Sequence, residues 1–294
     1  MSFFLNKSLM KFFAFACFLL TFQLVPDRGL SQTAITIGWD MSTLIGGSGV
    51  FGASPLSPTA TDPGVTLGGL TRGSGVTQSG SGANRAWGGT GWLQTSEATA
   101  ISANSFATFS LTPTAGNTLS LSSITLSYRR SGTGAASGEL QYAIGAGAFT
   151  DISALTYASS AATGATLPPV SLTSITALQN MTAGTIVTFR IVNWGGTGTG
   201  VGTWYVFDAA ISTGLDLAIA GTVTSTTSAA DYYSKSTGNL DATATWGTNT
   251  DGSGTAPADF TTASQTFHIA NSNPGSFSGS TWTVSGTSSK IILP

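Results

Sequence analysis

The sequence predicts an all-β chain: an antiparallel, jelly-roll-like β-sandwich followed by a second, partial β-rich module. Three observations predict it. Apolar and polar residues alternate in run after run. No segment sustains a helical period. Glycine-rich turns separate the runs at the spacing expected of a sandwich.

The alternation begins with Ile35, Ile37 and Trp39. Ala107, Phe109 and Leu111 form a second apolar face that ends at Pro113. Leu119 and Leu121 are followed by Ser122-Ser123, after which Ile124, Leu126 and Tyr128 continue in shifted phase. Such a shift predicts a turn or a bulge. Leu140, Tyr142 and Ile144 come next, then Val187, Phe189 and Ile191. Tyr205, Phe207, Ala209 and Ile211 read as one apolar face, and Leu215, Leu217 and Ile219 close the set. One apolar and one polar face per run is the pattern of antiparallel sheets packed on one side. Ile175 to Leu178 reads as a single helical turn, with Ser174 as cap and Asn180 as stop.

The sandwich is expected over residues 32–223. The stretch 224–230 (TSTTSAA) is small, polar and patternless, so it reads as a linker. A second module over 231–294 carries Trp246, Phe260, Phe267, Phe277 and Trp282 at turn-rich spacing. It ends in Lys290-Ile291-Ile292-Leu293-Pro294, an apolar strand, and so reads as incomplete at its C-terminus.

Residues 1–31 read as a signal peptide. Lys7 and Lys11 precede an apolar run from Phe12 to Val25, and Pro26, Asp27 and Arg28 re-polarise the chain. The run is shorter than the roughly 20 residues of a membrane helix, so no stable span is expected once cleavage follows Ser31. Cys17 lies within the apolar run, which continues past it, against lipid attachment. The exported chain would hold no thiol, hence no disulfide, thiolate metal site or cysteine nucleophile.

That chain would carry seven basic and eleven acidic side chains, a poor composition for nucleic acid. Charged residues are only 7% of the sequence, and Ser, Thr, Gly and Asn supply the polar surface, as suits an extracellular β protein. Disorder is excluded because 41% of residues are hydrophobic and 10% aromatic, enough for a core.

Several segments together resemble a known architecture. They are Trp39-Asp40, the run Gly68-Gly69-Leu70-Thr71-Arg72-Gly73, Ala86-Trp87, Tyr128-Arg129-Arg130 with Ser131-Gly132-Thr133-Gly134, and Phe189-Arg190-Ile191 before Leu215 to Val223. This order resembles the N-terminal sandwich of large secreted proteins of Bacteroidetes-type bacteria, adhesin-like proteins of the type IX secretion route. Tyr232 to Leu240, with Trp246 to Gly254, resembles a module of the same proteins. In those proteins the module precedes a long β-rich or β-helical (solenoid) region and a C-terminal sorting domain, and the sorting domain that the resemblance implies is not in this sequence. It implies export to the surface or medium, with adhesion or glycan contact as the role.

Candidate site residues fall in three groups. Trp87 and Trp92 bracket one glycine-rich loop, and Trp194 and Trp204 bracket another over Gly195 to Gly202. Tryptophans on such loops can stack on sugar faces, while core packing is the competing reading. Asn249, Asp251 and Ser253 alternate in a glycine-rich turn, the oxygen-donor pattern of a calcium loop without its remaining carboxylates. A hydrogen-bonded turn competes with it, so calcium is the only cofactor in question. Arg129, Arg130 and Arg190 are weaker ligand candidates; Arg190 is expected to pair at the surface with an acid such as Asp208, and Asp216 to face solvent. Catalysis lacks a signature: Glu97 and Glu139 stand far apart in the chain, and His268 has no triad context. The expectation is a non-catalytic module for adhesion or glycan binding, or a structural spacer. The alternative is an extracellular carbohydrate-active enzyme with an unrecognised acidic pair or a catalytic part beyond this sequence.

Overall fold

A computed structural model describes residues 32–158, 163–197, 202–226, 230–279, 281–286 and 288–294. The expected signal peptide, with Cys17, lies outside the described residues, as do 227–229 of the expected linker. The protein is all-β, as expected, and its largest part is a sandwich of two mainly antiparallel sheets.

The first sheet runs β1 (Gln32–Trp39), β16 (Leu217–Ser225), β8 (Asn117–Arg130), β15 (Thr203–Phe207) and β6 (Ala86–Thr90). Short strands β11 (Ala165–Thr166), β12 (Val170–Ser171) and β13 (Met181–Thr182) flank β8. The second sheet runs β10 (Thr150–Thr156), β9 (Ser137–Ile144), β14 (Val187–Trp194), β7 (Phe106–Pro113) and β3 (Val65–Leu67), with β4 (Thr71–Arg72) also on β7. A two-residue pair, β2 (Gly47–Ser48) with β5 (Ser81–Gly82), closes a loop beside β6. Only glycine fits at position 82, because a Cβ there would stand 1.7 Å from the Val50 carbonyl oxygen.

The alternating residues build the core between the sheets. Ile35, Ile37, Trp39, Leu119, Leu121, Ile124 and Leu126 from one sheet meet Phe109, Leu111, Leu140, Phe189 and Ile191 from the other. Trp39 meets Phe109 edge-on across the gap at 5.3 Å, and Phe109 stacks on Phe189 at 5.3 Å. Each such aromatic contact adds about 0.5–1.5 kcal/mol beyond simple burial. The phase shift at Ser122-Ser123 is a bulge: Ala220 pairs with Ser123 while Gly221 pairs with Leu121.

Four expectations are corrected. In β15 the core face is Trp204 and Val206, whereas Tyr205 and Phe207 point to the opposite face. They form a small second cluster with Phe51 and Ala86. A five-residue strand that is apolar on both faces has no readable alternation, so its phase was ambiguous. Ile211 is not in the strand; it is exposed, with a positive φ of 55°. The turn at Ile175 is a 3-10 turn over Thr176–Leu178, with no side-chain cap. Asp216 is buried, and its Oδ2 accepts from the Met41 backbone N–H at 2.8 Å.

One α-helix, α1 (Glu97–Ser102), was not legible because six residues do not complete two turns. Ser96 caps it by accepting from the Thr99 N–H, and Thr99 returns a bond to the cap backbone.

The remaining sheet holds β17 (Ala230–Ser234), β18 (Trp246–Gly247), β19 (Gln265–His268) and β20 (Lys290–Ile292). β17, β19 and β20 pair in parallel, placing Tyr232, Phe267 and Ile291 in register. β18 pairs antiparallel on the other side of β17. Tyr232 stacks on Phe267 at 5.4 Å, and Leu240, Trp246 and Phe267 form a core separate from that of the sandwich.

Candidate functional site

The outward turn of Tyr205 and Phe207 creates a cleft. Period two along β15 sends Thr203, Tyr205 and Phe207 to the same side, and the β8 register sets Arg129 directly opposite Tyr205. The Ser81–Arg85 segment forms the other wall. The open space between them has a volume of about 520 Å³, lined mainly by Asn84, Arg85, Arg129, Thr203, Tyr205 and Phe207. That volume suits a ligand the size of one or two sugars.

Two guanidinium groups share one aromatic ring in this cleft. Arg85 lies 5.5 Å and Arg129 5.3 Å from the centre of the Phe207 ring. Arg85 is tied back to the buried Asp208 by an ion pair of 3.2 Å, and Asp208 also accepts from the Ser212 N–H. Among the described residues no carboxylate pairs with Arg129. Burial pushes the Tyr205 phenol up, opposed by bonds to Thr203 and the Ala83 backbone and by the charge of Arg129. Phe51 stacks on Tyr205 at 6.1 Å and closes the floor from behind.

A second polar assembly sits on the outer face of the other sheet. Register aligns Thr108, Arg190 and Gln141 across β7, β14 and β9, with Asp151 of β10 beyond. Arg190 donates to Gln141 Oε1 from Nε at 2.8 Å and Nη2 at 2.5 Å. Gln141 Nε2 donates in turn to Glu97 at 2.6 Å and Asp151 at 2.7 Å. The Arg190 guanidinium lies between Phe149, at 3.8 Å, and Phe106, at 5.1 Å. Glu139 stands two residues before Gln141 and is also buried. Burial, then the charges of Asp151 and Glu97, raise its carboxyl to about 7 against two backbone bonds from Ser153 and Ile152. Glu97, on α1, is raised by burial and by Asp151. The fold thus gathers Glu97, Glu139 and Asp151 from three elements. Arg190 has no contact with Asp208, which corrects that expected pair.

The expected tryptophan platform is corrected in three of its four members. Trp87, Trp92 and Trp204 are fully buried. Their indoles pin loops or fill the core: Trp87 donates to the Ala53 carbonyl at 2.6 Å and Trp92 to Gly89 at 2.9 Å. Trp92 and Trp204 meet edge-on at 5.5 Å. Trp194 alone is partly exposed, beside a loop of which 198–201 lie outside the described residues.

Asn249, Asp251 and Ser253 form a closed turn. Asp251 Oδ1 accepts from the Ser253 N–H at 2.9 Å and from its hydroxyl at 2.6 Å, and Asn249 donates to the same hydroxyl at 3.0 Å. These bonds hold the Asp251 carboxyl below its ordinary range. The donors that would face calcium face one another, so the turn reading replaces the ion reading. Among the described residues no three His, Cys, Asp or Glu side chains are placed to hold a metal. His268 lies 3.2 Å from Asp231 and stacks on Tyr233 at 4.5 Å.

The fold and cleft define an all-β sandwich with a cationic, hydrogen-bonding surface site. No protein-family model, curated protein or solved structure matches the chain. Among the described residues no helix is long and apolar enough to cross a membrane.

Proposed function

We propose that this is a secreted or cell-surface protein that makes non-catalytic contact with glycans, in an adhesive role. The observation that carries the proposal is the cleft at Arg129, Thr203 and Tyr205. It offers hydroxyl, amide and guanidinium donors around a space of sugar size, with an aromatic floor and, among the described residues, no carboxylate lining it. Export is supported by the basic and apolar N-terminus and by a remainder free of cysteine. The site differs from the tryptophan loops that the sequence favours, and the role is the same.

The test is binding of the full chain, expressed with its leader and purified, to an array of glycans. Binding that Thr203→Val weakens at an unchanged melting temperature supports the proposal. No binding to any glycan leaves a structural spacer instead.

A second reading has an observation of its own, the gathering of Glu97, Glu139 and Asp151. Glu139, whose carboxyl burial raises to about 7, stands near the exposed Asp151 side chain, and a carboxyl raised beside a second acid is the arrangement from which a proton donor is built. Release of reducing ends from polysaccharides, abolished by Glu139→Gln, would establish a glycoside hydrolase. The internal bonding of Glu97 and Asp151 to Gln141 favours the binding role.

A further inference from the structure

We infer that the cleft at Arg129 takes an acidic saccharide, one bearing a carboxylate or sulfate, with the Arg129 guanidinium as its anion anchor. The inference rests on the glycan reading of this cleft and names the class of glycan.

The other arginines of the described residues are engaged within the fold. Arg72 is half-buried and donates to the backbone carbonyls of Gly88, Phe51 and Gly52. Arg130 donates to the carbonyls of Ala158 and Gly134, at 3.2 and 3.0 Å. Arg190 is spent on Gln141. Arg85 is neutralised by Asp208. Arg129 differs from all four: it is half-buried against the Phe207 ring, with no oxygen acceptor among the described residues. A guanidinium carries five N–H donors in a planar fork that matches an oxyanion.

The surroundings favour an anion at that point. Acidic side chains outnumber basic ones in the sequence, yet none lines the cleft. Asp208, the acid that directly follows β15, is 1% exposed and bonded to Arg85 and to the Ser212 N–H, so it cannot swing across to Arg129 without breaking both. The ring of Phe207 holds both arginines on the cleft side and displaces water from one face of each, which strengthens an ion pair made there. Asn84, Ser81 and Thr203 surround the cationic pair with groups that match sugar hydroxyls rather than apolar surface. A neutral glycan would satisfy the rim but offer the Arg129 fork single hydroxyl oxygens rather than paired oxyanion acceptors. An acidic sugar satisfies both.

The experiment is calorimetric titration of the full chain with four probes: oligogalacturonate, dextran sulfate, neutral dextran and inorganic phosphate. The expected result is binding of oligogalacturonate or dextran sulfate, weakened by salt, and reduced about tenfold or more by Arg129→Gln. The two polyanions distinguish a carboxylate from a sulfate as the recognised group. Arg129→Lys keeps the charge without the fork, and should retain part of the affinity; its melting temperature and that of Arg129→Gln should match the parent. Neutral dextran binding as tightly as the polyanions, with Arg129→Gln without effect, would overturn the acidic class while leaving the glycan reading intact. Phosphate binding as tightly as the saccharides would overturn it as well, by reducing the site to an anion hole. Binding to none of the four, together with an empty glycan array, would remove both readings.

Discussion

Arg190 places two N–H donors on one oxygen of Gln141, and that amide passes its own two donors to Glu97 and Asp151. The amide is therefore saturated, and it lets one buried cation and two carboxylates share a face. Gln141→Leu should cost about 2–4 kcal/mol, because it strands a buried charge and removes the bridge between two acids. Chemical denaturation of the full chain measures it. A loss below about 1 kcal/mol would mean that the assembly is idle.

Glu139 makes stability depend on pH in an unusual direction. Its carboxyl is raised from 4.5 to about 7 in the folded chain, so between those values the native state holds a proton that the unfolded state has released. The contribution is complete below about pH 4.5 and is lost as pH rises through 7. Asp216, raised from 3.8 to about 6 mainly by burial, acts in the same sense at lower pH. Melting temperature should therefore be higher at pH 5 than at pH 8. Glu139→Gln should flatten the upper part of that slope, by on the order of 1–2 kcal/mol. A melting curve that improves toward pH 8 would contradict this.

Trp204 and Trp194 should separate cleanly. Trp204→Ala opens a cavity among Trp92, Tyr157 and the core, at about 3–5 kcal/mol. Trp194→Ala should cost about 1 kcal/mol, because that ring is partly exposed. Neither change should act through a sugar contact, so glycan affinity of the folded fraction should be unaltered. Comparing melting temperature with affinity for each variant checks both parts.

Much of the fold was legible in the sequence and much of the site was not, for one physical reason. Alternation reports burial on one face, and it served well where the other face is wet, as at Ile35, Ile37 and Trp39 or Phe109 and Leu111. It fails where both faces are covered. In β15 the run Trp204 to Phe207 is buried throughout, so sequence reasoning assigned Tyr205 and Phe207 to the core and lost the cleft. In β9 the buried Glu139 and Gln141 sit between apolar neighbours, and their partners Glu97 and Asp151 come from other elements. The one local signal was the pair of polar residues in a strand otherwise suited to a core. Asp216 was missed similarly, since nothing nearby in sequence marks Met41 as its partner.

Calcium should leave the sheet of β17 to β20 unaffected. Asp251 Oδ1 already accepts two bonds from Ser253, so an ion using that oxygen would compete with both. Melting in excess chelator and in millimolar calcium should coincide, whereas Asp251→Ala should loosen the Thr248–Thr255 turn, read as faster amide exchange at Ser253. A calcium-dependent rise in melting temperature would restore the ion site.

The double-sided burial of β15 has a consequence for how such a protein can change. Trp204 and Val206 belong to the main core, and Tyr205 and Phe207 to the cleft floor, on the reverse of the same backbone. The groups that would meet a ligand, Asn84, Arg129 and Thr203, stand at the edge of that floor and contribute little to either core. Substitutions at the rim are therefore nearly free of folding cost, while the strand beneath tolerates few. Ligand preference could drift quickly across descendants of one scaffold, and descendants with different tastes would still share the same barely mutable five-residue strip.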